Sequence, residues 1–262
     1  MGKCTIIIGD ALQVLPQLQP GSIDLTISDP PYISLERHRK IGTTTRLKES
    51  ASSSNPWFET IPNDALLDML ALLFKAHKLN SVLRMFCDEE TAYVALTCSN
   101  PFVKQSPHLL LQRPWFPWPS WTWFKTKKEY ECVEEGNFDE EALRIGMGYH
   151  GRHSTERVLY LEKGKTKIND LAQPDCLFGP RAGKLDFPSQ KPQSALLPLV
   201  KCHSNPGDLI LDPFAGSGGV ATAALSLNRN AILIEKYNNP WLQATAEALV
   251  LAEHSVEWKL SA

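Results

Sequence analysis

The stretch from Asp208 to Gly219, DLILDPFAGSGG, limits the folds open to this chain more than any other. A short apolar strand runs into a glycine-rich loop, and an alanine-rich helix follows from about Val220 to Leu227. Glycine permits the tight turn and the close approach of a ligand, and the start of a helix presents N–H groups. A further apolar strand, Ala231 to Ile234, ends in Glu235. That acid stands about 20 residues beyond the loop, the spacing at which a carboxylate meets ribose hydroxyls in nucleotide-binding α/β folds. The spacing suits several nucleoside cofactors.

A second candidate site stands about 180 residues earlier. Asp29-Pro30-Pro31-Tyr32 follows the apolar run Ile23 to Ser28, so it too lies just past the carboxyl end of a strand. The Asp29 carboxylate can accept hydrogen bonds from an amino group. Pro30 and Pro31 lack N–H donors and fix φ, which presents the neighbouring carbonyls rigidly. Tyr32 adds a flat aromatic face. Together the four residues suit a planar ring with an exocyclic –NH2, whose nitrogen lone pair stays free to attack an electrophile. Taken alone, the tetrad is equally an ordinary proline turn. Its pairing with the glycine loop favours a site.

The remaining chain alternates strand and helix, the pattern of a layered α/β fold. Thr5 to Ile8 reads as a strand ending at Gly9-Asp10, and Leu12, Leu15 and Leu18 repeat at helical spacing up to Pro20-Gly21. Asp10 is open to two readings, a ligand-facing acid or a helix cap. Ala65 to Leu79 reads as a buried helix, Ser81 to Phe86 as a strand, and Asp88-Glu89-Glu90 as the first turn of another helix. Pro101 to Trp123 holds Phe102, Trp115, Phe116, Trp118, Trp121 and Trp123. Packing against a helical layer is the commoner fate of such rings, ahead of base stacking. Asn239 to His254 reads as a closing helix and Ser255 to Leu260 as a final strand.

In chain order stand Asp29-Pro30-Pro31-Tyr32, Phe187-Pro-Ser-Gln-Lys-Pro192 and Asp212-Pro-Phe-Ala-Gly-Ser-Gly218. Together these closely resemble the motifs of the DNA amino-methyltransferases that modify adenine N6 or cytosine N4. The resemblance runs from Gly9-Asp10 to about Leu249. With the catalytic tetrad first and the cofactor loop last, the order is that of the family's circularly permuted beta group. The resemblance implies a Rossmann-like methyltransferase fold, with a seven-stranded mixed sheet and helices on both faces. It also implies S-adenosylmethionine as methyl donor and double-stranded DNA as partner.

Residue roles follow from the same resemblance. Asp29, Pro30, Pro31 and Tyr32 would be catalytic, gripping a base flipped out of the duplex. Asp10, Asp29, Lys191, Asp212, Pro213, Phe214, Ala215, Gly216, Ser217, Gly218 and Glu235 would bind the donor. Asp10 would lie by its adenine, and the segment Gln190 to Pro192 against its amino-acid part. Phe214 is open to donor contact or to plain core packing. Phe187, Ser189 and Gly219 depart from the His, Thr and Thr usual in the family, and the last departure removes a hydroxyl contact to the donor. Glu156 matches an acid that precedes an apolar strand and the Lys163-Gly164 turn. Asp at the head of the tetrad goes more often with adenine, and Ser with cytosine, so adenine N6 is the favoured target. Cytosine N4, RNA, or a silent DNA-binding subunit of the same fold are the alternatives.

Residues 33–56 read as a mobile DNA-contacting loop, in which Arg37, Arg39, Lys40, Arg46 and Lys48 can meet phosphates. A solvated surface loop is the bland alternative. Arg152, with Arg144, Arg157, Lys163, Lys165 and Lys167, makes a second basic cluster. Residues 165–186 are too few for a separate target-recognition domain. The recognition surface is therefore reduced, or is completed by a second subunit in a homodimer.

Composition sets wider bounds. A hydrophobic fraction of 43% in 262 residues is enough for one catalytic domain over the whole chain. The formal charge of −2 excludes a globally basic protein, though not a basic face. The six cysteines form no C-x-x-C, and His150 and His153 lack a completing ligand pair, so a metal is not expected. No apolar signal or bilayer-spanning run is evident, which suits a protein of the cytoplasm, and by resemblance the order of the motifs implies a bacterial or phage-encoded one. A restriction-modification setting fits the same resemblance.

Overall fold

The computed structural model describes residues 2–32, 60–98, 101–112, 123–125, 130–132, 155–173, 176–178 and 190–261. In chain order the strands are β1 (Lys3–Ile8), β2 (Ile23–Ser28), β3 (His77–Cys87), β4 (Val103–Gln112), β5 (Trp123–Lys125), β6 (Tyr130–Cys132), β7 (Thr155–Lys163), β8 (Cys176–Phe178), β9 (Leu209–Asp212), β10 (Asn230–Glu235) and β11 (Ser255–Leu260). The helices are α1 (Ala11–Val14), α2 (Asn63–Ala76), α3 (Glu89–Thr97), α4 (Gln193–His203), α5 (Gly219–Ser226) and α6 (Pro240–Leu251).

A nine-stranded sheet has the order β11-β1-β10-β9-β2-β3-β7-β4-β8, and β5 and β6 pair separately. The strands from β11 to β3 run parallel to their neighbours. β7 is antiparallel to both β3 and β4. The seven strands from β1 to β4 are thus the expected mixed sheet. β11 extends it beyond β1, and the three-residue β8 extends it beyond β4.

The central strands are buried on both faces, which explains their continuous apolar sequences. Val82 and Phe86 of β3 face one core with Ile210, Leu233 and the helices α4, α5 and α6. Leu83, Met85 and Cys87 face the other, with α1, α2 and α3. Asp24 helps to fix the register of the middle strands. Its carboxylate takes both a short ion pair from Lys78 of β3, at 2.7 Å, and the backbone N–H of Leu209 of β9, at 2.9 Å.

Two elements differ from sequence expectation. The helix expected over Ala65 to Leu79 spans Asn63–Ala76, and the chain passes directly into β3 at His77. The buried imidazole lies 2.7 Å from Thr26 Oγ1 and 2.8 Å from Ser81 Oγ, which fixes this junction inside the sheet. Leu79, expected in the helix, is 72% exposed in β3. Pro198 lies inside α4. Phe102 follows the packing expectation, with its ring edge-on to Phe74 and His77.

Candidate active site

Four neighbouring parallel strands, β1, β10, β9 and β2, deliver their carboxyl ends to one edge of the sheet. Each ends at an acid. Asp10 follows β1, Glu235 closes β10, Asp212 closes β9 and Asp29 follows β2. Ligands of open α/β sheets bind at such edges. β2 lies directly beside β9, with Leu25 opposite Ile210 and Thr26 opposite Leu211. The Asp-Pro-Pro-Tyr turn and the glycine loop therefore leave the sheet side by side, despite their separation in sequence.

The tetrad is held from two directions. The Pro31 carbonyl accepts the N–H of Ile61 at 2.7 Å, and Tyr32 and Ile61 form a parallel bridge. Asp29 Oδ2 lies 2.7 Å from Lys191 Nζ. The same ammonium lies 5.0 Å from the centroid of the Phe86 ring. The segment Gln190 to Pro192 is thus tied to the tetrad, a contact that the sequence did not reveal. Pro192 is the N-cap residue of α4.

The glycine loop is braced by its own strand and by α6. Asp212 is buried and accepts the N–H of Phe214 at 3.0 Å. The Ala215 N–H donates to the Ile234 carbonyl, and Gly218 N–H to the Ala215 carbonyl. Glu235 accepts the Gly216 N–H at 2.7 Å, which orients its carboxylate beside the turn. Gly218 adopts φ 82°, in the left-handed region where a side chain is strained, and a Cβ there would lie 3.0 Å from Leu242 Cδ1. Asn239 Nδ2 donates to the Gly216 carbonyl at 3.0 Å, and Thr245 Oγ1 to the Ser217 carbonyl at 2.6 Å. Sequence reading missed both residues. The Asn239-Pro240 helix-start signal marks the first, since the Asn239 side chain also caps α6 at Leu242.

Burial dominates the electrostatics. It pushes the Asp212 carboxyl up to about 8, against the Phe214 N–H and with help from the charges of Asp29 and Glu235. Burial also raises Glu235, opposed by backbone N–H donors of Gly216, Tyr237 and Lys236. Of the two readings of Asp10, capping is realised, because its carboxylate accepts the Leu12 N–H at 2.9 Å. Its other oxygen is 3.4 Å from Lys236 Nζ. Phe214 is part-buried and packs against the core of α1, α2 and α3. At Gly219, a Cβ would lie 3.3 Å from Leu196 Cδ1, so the missing threonine lets α4 and α5 approach closely.

The structure thus brings Asp10, Asp29, Pro30, Pro31, Tyr32, Lys191, Asp212, Pro213, Phe214, Ala215, Gly216, Ser217, Gly218 and Glu235 to one sheet edge. The basic residues Arg37, Arg39, Lys40, Arg46, Lys48 and Arg152 lie outside the described residues, as does the side chain of Glu156. Among the described residues, no group of His, Cys, Asp or Glu is arranged to hold a metal ion. None of their helices is long and apolar enough to cross a membrane.

Comparison with known proteins assigns this architecture to a class. A DNA methylase family model, of the N6/N4 methyltransferases, matches residues 23–244, and the chain belongs to that family. The DNA adenine methyltransferase YhdJ of Escherichia coli is 27% identical over 274 residues, 95% of this chain and 84% of that protein. The type II methyltransferase M.HpaI of Haemophilus parainfluenzae is 24% identical, over 93% of this chain and 73% of its own length. Among solved structures, the M1.HpyAVI–SAM complex shares the fold with a TM-score of 0.59 at 21% identity, over 94% of this chain and 99% of that one. The cytosine-N4-specific PvuII DNA methyltransferase does so with a TM-score of 0.60 at 15% identity, over 97% and 94%.

Proposed function

We propose that this chain transfers a methyl group from S-adenosylmethionine to the N6 amine of an adenine flipped out of double-stranded DNA, and that residues 1–262 form one catalytic domain. One observation carries the reading: β2 and β9 are adjacent, so Asp29 and the loop of Asp212 to Gly218 leave the same edge of the sheet side by side. The donor set fits a nucleoside sulfonium. Glu235 stands beside the turn, where ribose hydroxyls would meet it, and the turn at Gly216 and Gly218 allows close approach.

When bound, the donor supplies a methyl carbon on a good leaving group, so the protein's task is alignment. Tyr32 stacks on the extruded base and offsets part of its unstacking cost. Asp29 and the Pro30 carbonyl accept the amino hydrogens and aim the nitrogen lone pair at the methyl carbon. With the donor bound, its sulfonium would give the methyl group to that nitrogen, the electron pair of the broken C–S bond staying on sulfur and the surplus proton passing to solvent. The order of tetrad and loop along the chain is that of a circularly permuted methyltransferase.

The test is transfer of labelled methyl from S-adenosylmethionine to unmethylated DNA, followed by nucleoside analysis. N6-methyladenosine in the product, lost in Asp29→Ala, supports the proposal. N4-methylcytosine instead would move the target to cytosine. DNA binding without transfer by either protein would leave a silent binding subunit.

A further inference from the structure

We propose that Lys191 is a positioning residue for Asp29, keeping that carboxylate ionised and turned toward the base. This inference rests on the methyltransferase reading and assigns Lys191 a duty beyond contact with the donor. Asp29 stands in acidic surroundings. Asp212, at the end of the neighbouring strand, is buried and feels the charges of both Asp29 and Glu235. A protonated Asp29 would offer the base a donor where it needs an acceptor. Lys191, just before α4, places an ammonium 2.7 Å from Asp29 Oδ2, and an opposite charge at that distance favours the ionised carboxylate. On the β3 side it is Phe86 that faces the ammonium, at 5.0 Å from the ring centroid. The ring face restricts where the ammonium can sit. The Lys191 side chain is 14% exposed and that of Asp29 26%, so water screens the pair incompletely.

The contact also joins two of the sequence motifs. Residues before α4 would otherwise act on the donor alone. Through Lys191 they reach the group that holds the base.

The experiment compares the full-length protein with Lys191→Met and Lys191→Arg. Carboxylate carbon NMR on aspartate-labelled protein follows Asp29, assigned by the signal lost in Asp29→Asn. In Lys191→Met its titration should move to higher pH by about one unit, and in Lys191→Arg it should stay near wild type. Single-turnover methyl transfer to unmethylated genomic DNA should show the same upward move of its acidic limb in Lys191→Met. Affinity for S-adenosylhomocysteine, measured alongside, separates any loss of donor contact from the effect on Asp29. An unmoved Asp29 titration, or a loss confined to donor affinity, would overturn the proposal. If Lys191→Met gives no cooperative thermal transition, Lys191→Gln takes its place with the same expectation. Absence of methyl transfer by the wild type would count against the enzyme reading alone, because the NMR titration needs no turnover.

Discussion

At the scale of single residues, acids gather at one sheet edge and burial tunes them. Asp212 shows this most clearly. Its carboxyl is raised from 3.8 to about 8, so folding favours the protonated form. The associated stability is fully present below pH 3.8 and is lost as pH rises through about 8. Thermal melts of the ligand-free protein should therefore fall over that range, and Asp212→Asn should flatten the decline. A parallel decline in the variant would assign the slope to other groups. Gly218 makes a conformational prediction. Its φ is 82°, and side-chain carbons of Leu242 and Thr245 each stand 3.0 Å from where a Cβ would be, so Gly218→Ala should cost about 1–2 kcal/mol of stability and weaken donor binding. Denaturant unfolding and calorimetric titration measure the two effects. The identity of these residues was legible in the sequence, because glycines and acids at strand ends announce their chemistry. Their partners were not. Nothing in the spacing of Lys191 or Thr245 says that one meets Asp29 and the other the Ser217 carbonyl, since both contacts form only when distant segments fold together.

At the scale of elements, the glycine loop depends on α6 as much as on its own helix. Asn239 caps α6 and also holds the Gly216 carbonyl, so one side chain couples helix start to loop shape. Asn239→Ala should cost about 1–2 kcal/mol in stability and weaken S-adenosylhomocysteine binding about fivefold, read by unfolding and by calorimetry. Asp24 has a comparable duty at the opposite end of the strands, where it joins β2 to Lys78 and to the Leu209 N–H. Asp24→Ala should destabilise by about 2 kcal/mol, and Asp24→Asn by less, because the amide still offers an acceptor to Leu209. Equal losses in denaturant unfolding would argue against the backbone bond. Strands and helices were mostly legible from apolar runs and turn residues. The exception at Leu79 has a physical cause. The helix-like apolar pattern continues past Ala76, but the bonds of His77 to Thr26 and Ser81 commit the backbone to the sheet. Periodicity does not register such a buried polar anchor.

At the scale of the whole molecule, a net charge of −2 coexists with a DNA methylase fold. If the basic residues of 33–56 and the cluster around Arg152 contact phosphates, binding to DNA should weaken steeply between about 50 and 200 mM salt. Affinity for S-adenosylhomocysteine should barely change over that range. A flat salt response measured by fluorescence anisotropy would rule out an interface built on those cations. The sheet order could be inferred from the motifs only through resemblance, because strand neighbours that are far apart in sequence leave no local trace. That order also bears on how the protein is made. β1 and β2 are synthesised well before β9 and β10, the two strands that lie between them in the sheet. A nascent chain can therefore display its tetrad long before the centre of its sheet can close. A product cut short before β9 would carry the Asp29 to Tyr32 turn with no glycine loop beside it, so the two can meet only once β9 and β10 have been made.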